Sequence, residues 1–410
     1  MAGEFAAIPA DWFTLTAILA GPPDGIEARA GASGLNAEAL DEACILHRHL
    51  PWAEEVAQRR AGYALERLGA GEKPTARLAE GCGFDDAPTC DAALKSHFGL
   101  DMRRAGALQK ATDFSLELPE DFRVEETLLY LGRDPGSLSL RRVENSTVLA
   151  AVLLGGRATT LKLVFPSRRG RTLHVTIAQS RRTDPNAAAH AVPVVARLLG
   201  LNSRSAALQR RAAEDPEIAR LVRERRGLRL PLTAAPVDAL TWSILGQQIT
   251  LQFAYQLLRT CTELAGVRCP QGMRTMPTPE RLASLSVDAL TSRKHSRSKA
   301  TYLLSAAAAV ASGELPLGAM ARGSAVEAYQ RLTAARGIGP WTANYTMMRG
   351  LGFNDCVPLG DAGLRRALTR FMSLDTPPGS DQMDTLMTRF RPHRSLATYH
   401  LWRGSDDALG

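Results

Sequence analysis

Ala335-Arg336-Gly337-Ile338-Gly339-Pro340-Trp341-Thr342-Ala343-Asn344-Tyr345 decides how the second half of this 410-residue chain folds. The residues before Gly337 keep helical spacing, Gly-Ile-Gly turns the chain tightly, and Pro340 suits the first turn of a new helix, where its missing N–H is not needed. The stretch therefore predicts helix, hairpin, helix. Glycines at the turn let another backbone come close, and the free amides opening the second helix favour an anionic oxygen without reading base sequence. A Gly-x-Gly turn alone is as readily a packing device, so its neighbours must decide.

Working outward, everything from Ser203 onward reads helical, with turns at Gly227, Pro231, Pro277 to Pro279, Gly313 to Gly318 and Pro377 to Gly379. Upstream the period changes to two. Phe114–Leu118, Leu138–Val143, Val148–Leu154, Leu161–Phe165 and Leu173–Ile177 alternate as half-buried strands, Ser167 to Arg171 makes a basic hairpin turn, and a helix follows over Pro185–Leu199. Before residue 110 no alternation occurs. Ala30 to Ser33 leading into Asn36–His47, and Leu78 to Phe84 leading into Ala87–Phe98, each read as helix, tight turn, helix, joined by a helix over Trp52–Leu68. The expected fold is mainly α with an α+β part. It comprises a helical, helix-turn-helix-like module over 1–110, a small antiparallel-sheet domain over 111–202, and an all-helical domain over 203–410.

The formal net charge of +8 divides unevenly. Residues 1–110 hold 11 basic and 16 acidic side chains, the remainder 39 and 26, and the basic residues are 44 Arg against 6 Lys. A guanidinium offers a planar donor fork suited to phosphate, so a polyanion should meet the second part of the chain. Arg and Ala richness is also what a GC-rich genome produces. The chain has no apolar run of membrane-spanning length and no basic-then-apolar leader, so a cytoplasmic, nucleoid-associated bacterial setting without membrane contact is expected. The six cysteines form no C-x-x-C and spell neither a zinc nor an iron–sulfur site.

Two segments resemble known families. Leu78-Ala79-x-x-x-Gly83-Phe84 followed by Ala93-x-x-x-x-Phe98-Gly99 resembles the paired helix-turn-helix domain of AraC-type regulators, although the Pro usual after the final Gly and an aromatic at Cys90 are missing. Its candidate recognition helices carry Glu38, Asp41 and Glu42, and Asp85 and Asp86, which repel phosphates. A packing or protein-contact module is therefore expected, with DNA reading as the alternative. The hairpin, followed 22 residues after Gly339 by Asp361 in Val357-Pro358-Leu359-Gly360-Asp361-Ala362-Gly363, resembles the helix-hairpin-helix, Gly/Pro-Asp superfamily of DNA glycosylases. Within it the likeness is to the DNA-3-methyladenine glycosylase II family. Arg226 to Pro231, Trp242 to Thr250, Pro277 to Leu282 and Arg394 to Trp402 support it, so that the resemblance spans about residues 111 to 405.

The resemblance implies a monofunctional glycosylase that flips alkylated, cationic purines out of duplex DNA and leaves an abasic site. Asp361 is the implied catalytic carboxylate, stabilising an oxocarbenium-like state, and the positive end of its helix favours the ionised form. By itself an Asp there would merely cap the helix. Trp341, Tyr345 and Trp402 match the family's aromatic pocket, and aromatic faces attract cationic bases. Trp341 stands where strand-cutting relatives carry a Schiff-base Lys, which argues against lyase chemistry. Implied DNA contacts are Gly337, Ile338, Gly339 and Thr342 of the hairpin, a wedge at Gln248 or Ile249, and the basic cluster Arg293, Lys294, Arg297 and Lys299. The cluster reads equally well as a solvated charge run. No cofactor and no catalytic metal are expected; a structural cation on hairpin carbonyls near Gly337 and Gly339 is the one ion the resemblance allows. Asp238 reads as a helix-opening residue, and His393 stands where the family tends to an aromatic. No cysteine sits in a methyl-accepting motif, so no alkyl transfer is expected. A glycosylase for an oxidised or other damaged base, and a regulator with an inert glycosylase-like domain, remain the alternative readings.

Overall fold

A computed structural model describes residues 11–167, 170–180 and 184–404, so that Arg168 and Arg169 of the basic turn lie outside the described residues. Among these, one five-stranded antiparallel sheet forms from β1 (Asp113–Glu117), β2 (Leu140–Glu144), β3 (Thr147–Leu154), β4 (Arg157–Val164) and β5 (Thr172–Gln179), in the order β1-β5-β4-β3-β2. The alternation in β5 is the one expected, with Leu173, Val175 and Ile177 turned inward. In β3 both faces are covered. Val148, Ala150, Val152 and Leu154 join the main core, while Leu149 and Ala151 pack on Cys269 and Met273 from a loop of the helical region. The sheet is thereby fastened to the helices on its far side, and a continuous apolar run replaces strict alternation. The helix Ala187–Leu199 covers the inner face.

The N-terminal helices form where the sequence places them. Ile26–Ala32 and Ala37–Arg48 make the first pair, Ala76–Glu80 and Ala87–Phe98 the second, with Trp52–Gly69 between. Asn36 and Asp86 cap the second helix of each pair by accepting from the Ala39 and Thr89 amides. Asp86 thus has a local reason to be acidic. Packing is continuous across residue 110. Leu94, Phe98 and Leu100 share one core with Leu116 and Leu118, and the Glu117 N–H donates to the Gly99 carbonyl at 2.8 Å. Gly99 has φ +70°, and a Cβ there would stand 2.8 Å from the Glu117 carbonyl oxygen. The end of the second pair is therefore built against the first strand.

From Ser205 to Gly404 the chain is helical. Ala325–Ala334, the turn at 335–339 and Pro340–Thr346 give the expected helix, hairpin and helix. A wider π-type turn, Met347–Leu351, continues the second helix. All six cysteines are free and buried, and no helix among the described residues is long and apolar enough to cross a membrane.

Candidate active site

Three loops of the helical region meet at the hairpin. Gly337 takes φ +87° with the Tyr302 ring directly beneath it, where a Cβ would approach ring carbons to 2.3 Å. Gly339 differs: its φ is −87°, and a Cβ there would meet nothing within 4 Å. The first glycine is required by the fold, and the second leaves an exposed tip open to an outside group. Ile338 is buried at 3% exposure, and the Thr342 hydroxyl, also buried, accepts from Gln247 Nε2 at 2.9 Å. The same amide donates to the Gly337 carbonyl at 2.9 Å. Of the four hairpin residues implied as DNA contacts, the structure turns Ile338 and Thr342 inward and leaves the Gly339 backbone outside. Gln247, which the sequence reading passed over, ties the hairpin to the neighbouring turn. Its position inside Gly246-Gln247-Gln248-Ile249 was the available signal.

That turn holds the wedge candidates. Gln248 is exposed in the left-handed region at φ +54°, whereas Ile249 is half-buried and packs on the core. Lys299 also turns inward, donating from Nζ to the Leu245 carbonyl at 2.8 Å, and burial lowers its pKa. It satisfies the carbonyl end of Pro236–Gly246 and so shapes the turn. Arg293, Lys294 and Arg297 stay exposed, Arg293 beside Glu263 and Arg297 beside Asp288, in solvated pairs that hold little energy. Arg336, at the hairpin itself, is exposed as well.

Asp361 opens the helix Ala362–Phe371. Oδ1 accepts from the Leu364 amide at 2.7 Å and from Trp402 Nε1 at 3.1 Å, and Oδ2 accepts from Trp341 Nε1 at 3.1 Å. Asp361 caps its helix with one oxygen while two indoles fix the plane of the carboxylate. Gly363 keeps the space beside it clear, since a Cβ would stand 3.2 Å from Oδ1. Trp341 reaches back toward the wedge turn, 3.9 Å from where a Gly246 Cβ would be. Hairpin, wedge turn and carboxylate are therefore joined through one tryptophan.

Trp341 and Tyr345 stack with centroids 5.5 Å apart and planes at 29°, and Tyr345 lies 6.3 Å from Trp402. A flat ring inserted between two others needs about twice a van der Waals contact, ~7 Å. Neither spacing provides that, so the cluster as folded admits no ring between its members; Trp341 is half-buried, whereas Tyr345 and Trp402 are buried. Tyr345 is buried, which pushes its hydroxyl well above the usual tyrosine range. Behind it a cavity of about 100 Å³ runs between helices and sheet, lined in part by Tyr130, Arg133, Asp238, Trp242 and Tyr255. Asp238 accepts from the Ala235 amide at 3.0 Å, the helix-opening role expected, and burial pushes its carboxyl up to about 6. His393 is buried at the start of Arg394–Gly404, with Nδ1 unpartnered and its pKa pulled down to about 3 by burial and by Arg204 and Arg211. It is a neutral core residue.

The carbonyls considered for a cation are partly used: Gly337 accepts from Gln247, and Gly339 accepts from the Ala343 amide at 2.9 Å. No group of three or more His, Cys, Asp or Glu suited to a metal occurs among the described residues.

Known proteins share the sequence and fold of this chain over much of its length. A family model described as HhH-GPD superfamily base excision DNA repair protein matches residues 241–392. A DNA-3-methyladenine glycosylase of Bacillus subtilis is 28% identical over 291 residues, covering 70% of this chain and 95% of its own. DNA-3-methyladenine glycosylase 2 of Escherichia coli is 31% identical over 241 residues, 58% of this chain and 79% of that one. Among solved structures, a 3-methyladenine DNA-glycosylase from Archaeoglobus fulgidus superposes with a TM-score of 0.60 at 23% identity, over 70% of this chain and 97% of its own, which speaks for the fold. On the hairpin, the Gly-Asp turn and the extent of the shared sequence, the chain belongs to the HhH-GPD superfamily of base excision DNA repair proteins.

Proposed function

We propose that this protein binds duplex DNA and hydrolyses the N-glycosidic bond of alkylated purines, leaving an abasic site without cutting the strand. The observation that carries the reading is the Asp361 carboxylate held by two tryptophan N–H groups at the mouth of an aromatic cluster. As the C1′–N bond breaks, its electron pair leaves with the base and positive charge grows on the sugar. A carboxylate already fixed in plane stabilises that charge without reorganising and orients the water whose oxygen adds to C1′. An alkylated purine carrying positive charge is drawn to the Trp341 face and is a better leaving group than a neutral base.

The hairpin tip and the wedge turn supply the rest. The exposed Gly339 backbone offers a close approach to a phosphate oxygen, Arg336 adds charge beside it, and Gln248 stands out to fill the stack after the base leaves. Trp341 occupies the post-hairpin position and Lys299 is committed to the Leu245 carbonyl, which supports a route without a Schiff base. The test is a panel of duplexes with single defined lesions, N3- and N7-methylated purines beside an oxidised guanine, scored for free base and for strand breaks before and after alkali. Methylpurine release with alkali-dependent breaks supports the proposal. Release of the oxidised base alone would favour a different substrate class, and breaks without alkali would sink the monofunctional assignment.

A further inference from the structure

His47, Arg48 and His49 end the second helix of the first N-terminal pair, the helix that would read bases if this module bound DNA. In the structure their side chains are turned into the helical region. His47 Nδ1 lies 2.8 Å from the Ser324 hydroxyl, and its Nε2 lies 3.2 Å from Asp11. Ser324 already accepts from the amides of Val326 and Glu327, so its proton is free to go to His47, which fixes the Nε2–H tautomer. Arg48 donates to the carbonyls of Ala321 and Gly323 and to Glu55, which is 2% exposed and also receives Arg59. The Arg48 guanidinium lies 5.7 Å from the centre of the Phe353 ring. His49, at φ +55°, accepts the Asp355 amide on Nδ1 at 3.0 Å and meets Phe353 edge-on at 5.3 Å.

These contacts fall at two places that bracket one segment. Ala321 to Ser324 cap the helix running into the hairpin, and Phe353 to Asp355 follow the helix running out of it. Between them lie the hairpin and the aromatic residues Trp341 and Tyr345. Three consecutive residues therefore hold both ends of the DNA-facing segment from a single helix terminus. With its guanidinium engaged by Ala321, Gly323 and Glu55, Arg48 is not free to reach a phosphate.

We infer that the N-terminal module is an intramolecular clamp that positions the helix-hairpin-helix segment for DNA, with His47, Arg48 and His49 as positioning residues. The inference rests on the proposed DNA-binding role of the hairpin and assigns the module a task beyond it. A clamp pre-organises the segment, so that less ordering remains to be done when the duplex arrives. Loosening it raises the dissociation constant without removing any phosphate contact.

The test uses the full chain with Arg48→Met and, separately, His49→Phe, which keeps a ring against Phe353 but lacks the nitrogen acceptor. Binding to a duplex carrying a tetrahydrofuran abasic analogue is followed over a salt series, with hydrogen exchange of the amides in 335–346. Expected are a dissociation constant raised about tenfold, the size of an ordinary coupling between sites, an unchanged slope of log affinity against log salt, and faster exchange in the hairpin. Base release at saturating enzyme stays at the wild-type rate. A shallower salt slope would make Arg48 a phosphate contact and overturn the inference, as would unchanged affinity and exchange. Loss of folding in both variants also counts against it, because the contacts would then serve overall stability. Should the wild type itself fail to bind the duplex, the proposed function fails instead, and the two outcomes are told apart.

Discussion

Gly337 and Gly339 stand two residues apart in the same hairpin, yet replacing each by alanine should give opposite phenotypes. At Gly337 the methyl must be carried at φ +87° and pushed into the Tyr302 ring, whose nearest carbon lies 2.3 Å away. The left-handed conformation costs about 1–2 kcal/mol for a non-glycine residue, and forcing a methyl into a packed site about 1–3 kcal/mol more. Gly337→Ala should lose about 2–5 kcal/mol of stability. Gly339→Ala meets no atom within 4 Å and an ordinary φ of −87°, so stability should stay within about 0.5 kcal/mol of wild type. A phosphate oxygen seated on the tip would be displaced by that methyl, losing a charge-assisted hydrogen bond of about 1.5–3 kcal/mol, or roughly 10- to 100-fold in affinity. Denaturant unfolding and duplex binding by fluorescence anisotropy measure the two effects separately. A Gly339→Ala protein that binds as tightly as wild type would refute the placement of phosphate at the tip. A Gly337→Ala protein of unaltered stability would refute the packing account.

Other expectations follow from the same geometry. Trp402→Phe keeps a ring but removes the donor to Asp361 Oδ1, and the released base should form about 10- to 100-fold more slowly at saturating enzyme with duplex affinity little changed; equal loss in both would make Trp402 a binding residue only. Gln248→Ala should lower the yield of flipped base, read with a fluorescent purine analogue, far more than Ile249→Val, because Gln248 is exposed and Ile249 packs inward; the reverse order would assign the wedge to Ile249. Burial holds His49 down to about 4 and His393 and His400 to about 3, from an ordinary 6.5. Each is neutral in the fold and gains a proton on unfolding, so stability is complete above about pH 6.5 and falls as acid is added, by about 2 kcal/mol per histidine at pH 5. Asp238, pushed up to about 6 from 3.8, acts with the opposite sign between those values and offsets part of the loss. Thermal unfolding from pH 7.5 to 5 should show a steep decline, and a flat profile would contradict the buried neutral histidines.

Much of this was legible in the residues. The period-two stretches became strands because alternation is a local signal, and the hairpin and the Asp361 cap formed because Gly, Pro and Asp carry their own backbone preferences. The clamp on the carboxylate was not legible. Trp341 and Trp402 lie 20 and 41 residues from Asp361, and the sequence marks them as aromatic without saying that their N–H edges face it. Thr342 and Lys299 looked like surface donors by type, and only packing shows that their polar atoms are used inside the protein. The acidic count of the N-terminal module gave a net charge but not its disposition. Glu55 lies buried between Arg48 and Arg59, and Asp86 caps a helix, so part of that charge is structural.

The most direct measurement is base release from duplex DNA treated with a methylating agent, comparing wild type with Asp361→Asn, which keeps the shape and one acceptor oxygen for the cap but loses the charge and the second acceptor. Wild type should free methylated purines and leave alkali-labile abasic sites with intact strands, and the variant should be slower by at least about 100-fold while still binding the duplex. Equal release by both proteins, or none by the wild type, would contradict the assignment of Asp361 and with it the proposed reaction.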